Sequence, residues 1–364
     1  MKAEARLAAL RRRLAGSPAD ALVVSAPSDQ RWVTGFDAVF DDDPGVACLV
    51  TADEALVFAD SRYIEAVRCE AADGAWTPVD AAEPTTAAVD AARTGGAHVL
   101  ALQPSLSWSA YTRLAEAFAG GVTPAKDWVS VLRRVKDADE IARIEEAQAV
   151  TDGAFDHLLG YLAPGLTEAE VALELEVFMR RHGAEALAFP SIVASGENSC
   201  RPHAGVTRRV LADGDFVKLD FGARVDGYCS DMTRTIVLGS ASSRQRSMYE
   251  AVLDANETAI AACRPGMEGR ELHGVAHKVL ERRGLADRFG HGLGHGVGLD
   301  IHEGPGVGPR SEDVLAPGMV LTIEPGVYEP GFGGVRIEDL VVVQEGGCRV
   351  LTRSTKALTE LPGR

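Results

Sequence analysis

The chain has 364 residues, 46% hydrophobic and 25% charged, a composition that fits folded globular domains and excludes a disordered chain. Its 37 Lys and Arg against 53 Asp and Glu leave a formal net charge of -16. That balance argues against nucleic acid or an anionic membrane as a partner, since their phosphates attract Lys and Arg. No run approaches the roughly 18 consecutive apolar residues of a membrane helix.

At about 150 residues per domain, the length predicts two domains. The spread of residue types agrees. All four Trp lie before residue 130, and eight of the nine His lie after residue 150. The N-terminal segment carries Leu7, Leu10 and Leu14 at helical spacing beside Arg11, Arg12 and Arg13. It predicts an amphipathic surface helix and not a signal peptide, which needs an apolar centre. Four short apolar runs follow, starting at Ala21, Ala47, Ala55 and His98, and alternate with helical patterns. They predict a buried sheet in an N-terminal α/β domain over 1–130. The run Asp41, Asp42, Asp43 before Pro44-Gly45 reads as a solvated turn. The six Cys are scattered, without CxxC spacing. That predicts free thiols in a reducing compartment and a cytoplasmic protein.

The second domain, 131–364, opens on a helix beginning near Asp137, whose first turn is acidic. It then contains an internal repeat. Pro164-Gly165-Leu166, Glu170-Val171 and the Gly183 stop recur as Pro265-Gly266-Met267, Glu271-Leu272 and Gly284, a constant offset of 101 residues. More loosely, Gly214 to Gly222 matches Gly318 to Gly326, with Asp220 and Glu324 each six residues after the first Gly. A second acid follows each, Asp231 and Glu338, beside another strand-like run. The pattern predicts a duplicated half-domain with a pseudo-twofold axis near which the four acids meet. Carboxylates gathered at buried strand ends repel one another unless a cation compensates, and two divalent metals meet that need.

The segment from Phe289 to Pro305 holds His291, His295 and His302 with five Gly between 290 and 298. The HxxxH spacing of His291 and His295 would suit a helix, but so much Gly does not. A Gly-rich loop bringing imidazoles and backbone close to a ligand is the expectation. With His203, also flanked by Pro and Ala-Gly, these are candidate site residues. Arg336 stands two residues before Glu338, which on one strand places both on one face.

These residues, within AFPSIVASGENSCRPHA, KLDFGA, SDMTRT, GHGVGLDIHEGP, LTIEPGVY and GGVRIED, resemble the pita-bread metallopeptidases. The likeness is to their proline-specific branch of prolidases and Xaa-Pro aminopeptidases, and it covers essentially the whole chain. The resemblance implies an α/β N-terminal domain followed by an α+β pita-bread catalytic domain. It implies the ligands Asp220, Asp231, His295, Glu324 and Glu338 for two divalent ions, Mn²⁺ first, with Co²⁺ or Zn²⁺ as alternatives. Asp231 and Glu338 would bridge the two ions. It implies hydrolysis of an Xaa-Pro bond in dipeptides or short peptides, with Glu324 as acid/base and His203 and His302 on the substrate carbonyl. His291 would line the proline pocket, and Arg336 would orient His302, bind a substrate carboxylate or serve the acids as counter-ion. A homodimer is also implied. Dipeptidase and aminopeptidase both stay open. Other readings are a methionine-aminopeptidase-like enzyme, a creatinase-like hydrolase or lyase, and a non-catalytic binding module; the last two predict eroded ligands.

Overall fold

The computed structural model describes residues 3–37 and 45–361, so Asp41, Asp42 and Asp43 lie outside the described residues. The chain divides into two compact units, Met1–Arg133 and Arg134–Arg364.

In the first unit, six strands among the described residues form one mixed sheet. In spatial order they are Thr77–Asp80, Ala55–Ala59, Val46–Thr51, Ala21–Val24, Val99–Leu102 and Gly121–Pro124. Every residue of Ala21–Val24 is buried, which explains the continuous apolar run: helices cover both faces of a central strand, so no polar alternation survives. The N-terminal helix, Ala3–Ala15, buries Leu7, Leu10 and Leu14 as their spacing requires.

The second unit opens on the helix Ala138–Tyr161, whose Asp137 side chain and Glu140 form a capping box. The repeat is visible in its topology. In the first half, helices Ala138–Tyr161 and Glu168–Arg181 pack on the antiparallel strands Ile192–Ser195, Phe216–Phe221 and Met232–Leu238. In the second half, helices Ser243–Ala262 and Gly269–Arg282 pack on Gly294–Gly296, Val320–Ile323 and Asp339–Gln344, in the same strand order. Isolated bridges recur too: Thr167 with Val210, and Glu268 with Val314.

The strand register carries the acids to one place. Asp220 lies opposite Thr233, and Asp231 immediately precedes that partner strand. Glu324 immediately follows Val320–Ile323, and Glu338 immediately precedes Asp339, the partner of Ile323. Each half thus presents one acid at the end of the middle strand and one just before its neighbour. The buried Arg234 links the halves, donating to the Glu338 carbonyl and pairing with Asp339 at 2.8 Å. Among the described residues, no helix is long and apolar enough to cross a membrane. All six cysteines are free thiols.

Candidate metal centre and active site

Asp231, His295 and Glu338 offer ligand atoms that all lie within 4.8 Å of one another. His295 Nε2 is 3.5 Å from both Asp231 Oδ2 and Glu324 Oε1. Asp220 completes the acid group through Arg336, whose guanidinium bonds Asp220 and lies 3.9 Å from Glu324. The four acids and the histidine singled out from the repeat and the Gly-rich segment therefore converge.

Local structure explains how each is held. His295 Nδ1 lies 3.0 Å from the Gly296 carbonyl. A carbonyl only accepts, so Nδ1 carries the proton and the Nε2 lone pair faces the carboxylates, the tautomer of a metal ligand. Its backbone N–H donates to Thr322 Oγ1, and that hydroxyl donates to Glu324. Thr233 Oγ1 donates to Glu338 at 2.6 Å. Gly294–Gly296 is a short strand where a loop was expected. The glycines are there for close packing: a Cβ at Gly294 would lie 2.0 Å from the Thr322 carbonyl oxygen, and one at Gly296 would lie 2.2 Å from that of Gly304.

The electrostatics ask for a cation. Asp231 and Glu338 are 4% and 2% exposed. Burial first, then repulsion from the other acids, pushes both carboxyls well above their usual range. Burial likewise pushes Glu324 up to about 7, against the pull of Arg336. One buried guanidinium does not balance four carboxylates, and the donor set of acid oxygens and one imidazole suits divalent ions.

Arg336 and Glu338 do not share a strand face. Gly333–Arg336 pairs with Gly326–Glu329, while Asp339–Gln344 pairs with Val320–Ile323, so the chain changes sheets between them. Arg336 nevertheless reaches the cluster. Its donors go to Asp220, Thr233, Tyr328 and the Pro202 carbonyl, which is the counter-ion arrangement. His291 is fixed at both nitrogens, by the Gly292 carbonyl at 2.7 Å and Tyr328 Oη at 2.9 Å. Burial and the Arg336 charge push it down to about 4, so it is neutral. His302 packs edge-on against His295 with ring centroids 4.4 Å apart.

His203, His291, His295 and His302 line one cavity of about 800 Å³ with the four acids and Arg336. Apolar side chains, Ala172, Leu173, Phe189, Ile192 and Val206, complete its lining. Thr233, Thr322, Tyr328 and Lys218 also serve the site, though neither the repeat nor the motifs single them out. Three of them stand two positions from an acid along a strand, a signal that the two-residue period offers.

Residues 142–345 match metallopeptidase family M24, and residues 6–135 match the creatinase/prolidase N-terminal domain. The chain belongs to metallopeptidase family M24. Its second unit has the pita-bread fold, and the protein is a metallopeptidase whose site serves divalent metal ions. An Xaa-Pro dipeptidase of Pyrococcus furiosus is 44% identical over 232 residues, 64% of this chain and 67% of that one. A solved Xaa-Pro dipeptidase from Bacillus anthracis superposes with a TM-score of 0.94 at 36% identity, covering 99% of this chain and 100% of the other. An X-Pro aminopeptidase from Thermotoga maritima superposes with a TM-score of 0.86 at 32% identity, covering 96% and 99%.

Proposed function

We propose that this M24 enzyme hydrolyses the bond between an N-terminal residue and proline in dipeptides or short peptides. The observation that carries the reading is the meeting of two repeat-related acid pairs with His295 Nε2 in a histidine-lined cavity. The relatives named for Xaa-Pro cleavage support the substrate class. Asp220, Asp231, His295, Glu324 and Glu338 would hold two divalent ions, Mn²⁺ by preference for an oxygen-rich set, with Co²⁺ or Zn²⁺ as substitutes. Such ions lower the pKa of water and polarise a carbonyl when bound.

The protein's own groups supply the rest. The proline nitrogen in an amide carries no hydrogen, so it must gain a proton as it leaves. Glu324 takes the proton from the attacking water and delivers it to that nitrogen. His203 and His302 donate to the scissile carbonyl oxygen as charge builds there. His291, kept neutral by burial and the Arg336 charge and held in place by Tyr328, faces the proline ring. Arg336 keeps Asp220 and Tyr328 in place and balances the acids. The complete ligand set speaks against a creatinase-like or non-catalytic descendant. The N-terminal unit and the Gly333 to Asp339 segment speak against a methionine-aminopeptidase-like one.

The test is hydrolysis of paired peptides, Xaa-Pro and Xaa-Pro-Yaa against the same sequences with alanine for proline, with and without a chelator. Cleavage should require proline and metal. Equal cleavage of the alanine peptides, or full activity in chelator, would reject the reading. The six free thiols support a cytoplasmic setting, and the family resemblance supports a homodimer. Light scattering would show the dimer as about twice the 38.5 kDa of one chain.

A further inference from the structure

We infer that Lys218 is a positioning residue that sets the place of His203 in the cavity, an inference resting on the role proposed above for His203. His203 sits on an irregular stretch, where Arg201, His203, Gly205 and Val206 are all exposed. No strand or helix fixes this stretch, so side chains must. Lys218 lies beneath it, in the middle strand Phe216–Phe221, with no exposed surface. Its ammonium donates to the carbonyls of Arg201 and of Pro202, the latter at 3.2 Å. Arg336 donates to the same Pro202 carbonyl at 3.0 Å. The ammonium also stands 5.2 Å from the centre of the Tyr328 ring, a favourable cation–π approach. The amine of Lys218 and the guanidinium of Arg336 thus hold the peptide immediately before His203.

The repeat gives this arrangement meaning. An offset of 104 carries Asp220 to Glu324 and Lys218 to Thr322. Thr322 Oγ1 accepts from the backbone N–H of His295. In each half, then, the residue two positions before the acid grips the backbone that carries a cavity histidine. The second half does so with a short hydroxyl against a neighbouring strand. In the first half the histidine stretch lies farther off, and the long lysine stem spans the gap. An apolar residue would fill this buried position without desolvating a charge, but it could not hold two carbonyls.

The experiment is a double-mutant cycle on the manganese-loaded, full-length enzyme with an Xaa-Pro peptide: wild type, Lys218→Met, His203→Ala and the double variant. Methionine keeps the stem volume and removes the donors. Lys218→Met should lower kcat by about tenfold or more with bound metal unchanged, and the double variant should match His203→Ala within about twofold. Independent, fully multiplying losses would overturn the inference, as would a wild-type kcat in either single variant. A second readout does not use activity. In the chelated protein, the imidazole proton resonances of His203 should move in Lys218→Met while those of His157 and His182 stay. Unmoved His203 resonances would overturn the inference. If Lys218→Met does not fold, Lys218→Gln, a shorter neutral donor, is carried through the same measurements with the same criteria. If the wild type cleaves no Xaa-Pro peptide, the proposed function falls, while the resonance comparison still decides the role of Lys218.

Discussion

Stripping the metal should make the folded protein lose stability as pH rises, by an amount that the acid cluster sets. Glu324 has its carboxyl pushed from 4.5 to about 7, chiefly by burial. Its folded-state value is raised, so between those limits the folded protein holds a proton that the unfolded chain has released. Stability is then fully present below about 4.5 and falls as pH climbs through 7. At about 1.4 kcal/mol per pH unit, Glu324 alone accounts for about 3 kcal/mol. That is an upper figure, because 15% of its side chain meets water. Asp231 and Glu338 are displaced in the same sense and add to it. His291 titrates oppositely, since burial lowers it to about 4. It adds stability as pH rises toward 6.5, equally in both forms, and so cancels between them. The assay is calorimetric melting of manganese-loaded and chelated protein from pH 5 to 8. For a unit of this size, about 3 kcal/mol corresponds to a widening of the Tm gap by roughly 6–12 °C. A gap constant within about 2 °C, or one that narrows with pH, would refute the electrostatic account of the cluster.

Asp231→Asn should lower bound metal and reduce hydrolysis by about 100-fold or more, yet raise the Tm of the chelated protein by removing a like charge; elemental analysis and melting check both. Arg336→Lys keeps the charge but loses the planar fork that serves Asp220, Thr233 and Tyr328 together. Steady-state kinetics should show kcat falling by about tenfold or more with the fold retained. Glu168 accepts from the backbone and hydroxyl of Ser195, from Asn198, and from the backbone and hydroxyl of Thr207. Burial alone would raise its carboxyl, but these donors hold it below the usual value. Glu168→Gln turns an amide donor toward some of them and should cost about 2–4 kcal/mol, read by urea unfolding at neutral pH. The difference from wild type should shrink as pH falls through the lowered Glu168 value, because the wild-type carboxylate then takes up its proton.

The parts of this molecule that were readable from sequence are those written as residue type at fixed spacing. The strand Ala21–Val24, the Asp137 cap and the paired helices Glu168–Arg181 and Gly269–Arg282 are local patterns. The acids are readable because duplication writes the pair twice, as Asp220 with Asp231 and as Glu324 with Glu338. His295 was found by type, but its strand was not, because the glycines there serve contacts with the Thr322 and Gly304 carbonyls that are distant in sequence. The shared face expected for Arg336 and Glu338 failed for a related reason. The two-residue period holds only while a strand keeps one partner, and Ile337 donates to the Pro325 carbonyl at the point where the chain changes sheets. Lys218 stands two positions from Asp220, but its role is unreadable because its partners are backbone carbonyls, which carry no residue code.

Duplication alone would make the two proposed metal positions equal, but the register sets the two halves apart at His295. Ser195 pairs with Val217, and Gly296 pairs with Leu321, the repeat counterpart of Val217. Ser195 therefore corresponds to Gly296, and Ala194 to His295. The second half supplies an imidazole where the first supplies a methyl group, so one proposed position would gain a neutral nitrogen donor and the other would be served by oxygen alone. Divalent manganese added to the chelated protein should bind in two steps of different affinity, resolved by calorimetric titration. An imidazole ligand matters more to borderline ions than to hard ones. His295→Ala should therefore weaken one step and leave the other near its wild-type value, with the larger loss for Zn²⁺ and the smaller for Mn²⁺. Equal weakening of both steps would mean that His295 serves the whole cluster, and the inequality of the halves would then not extend to the metal.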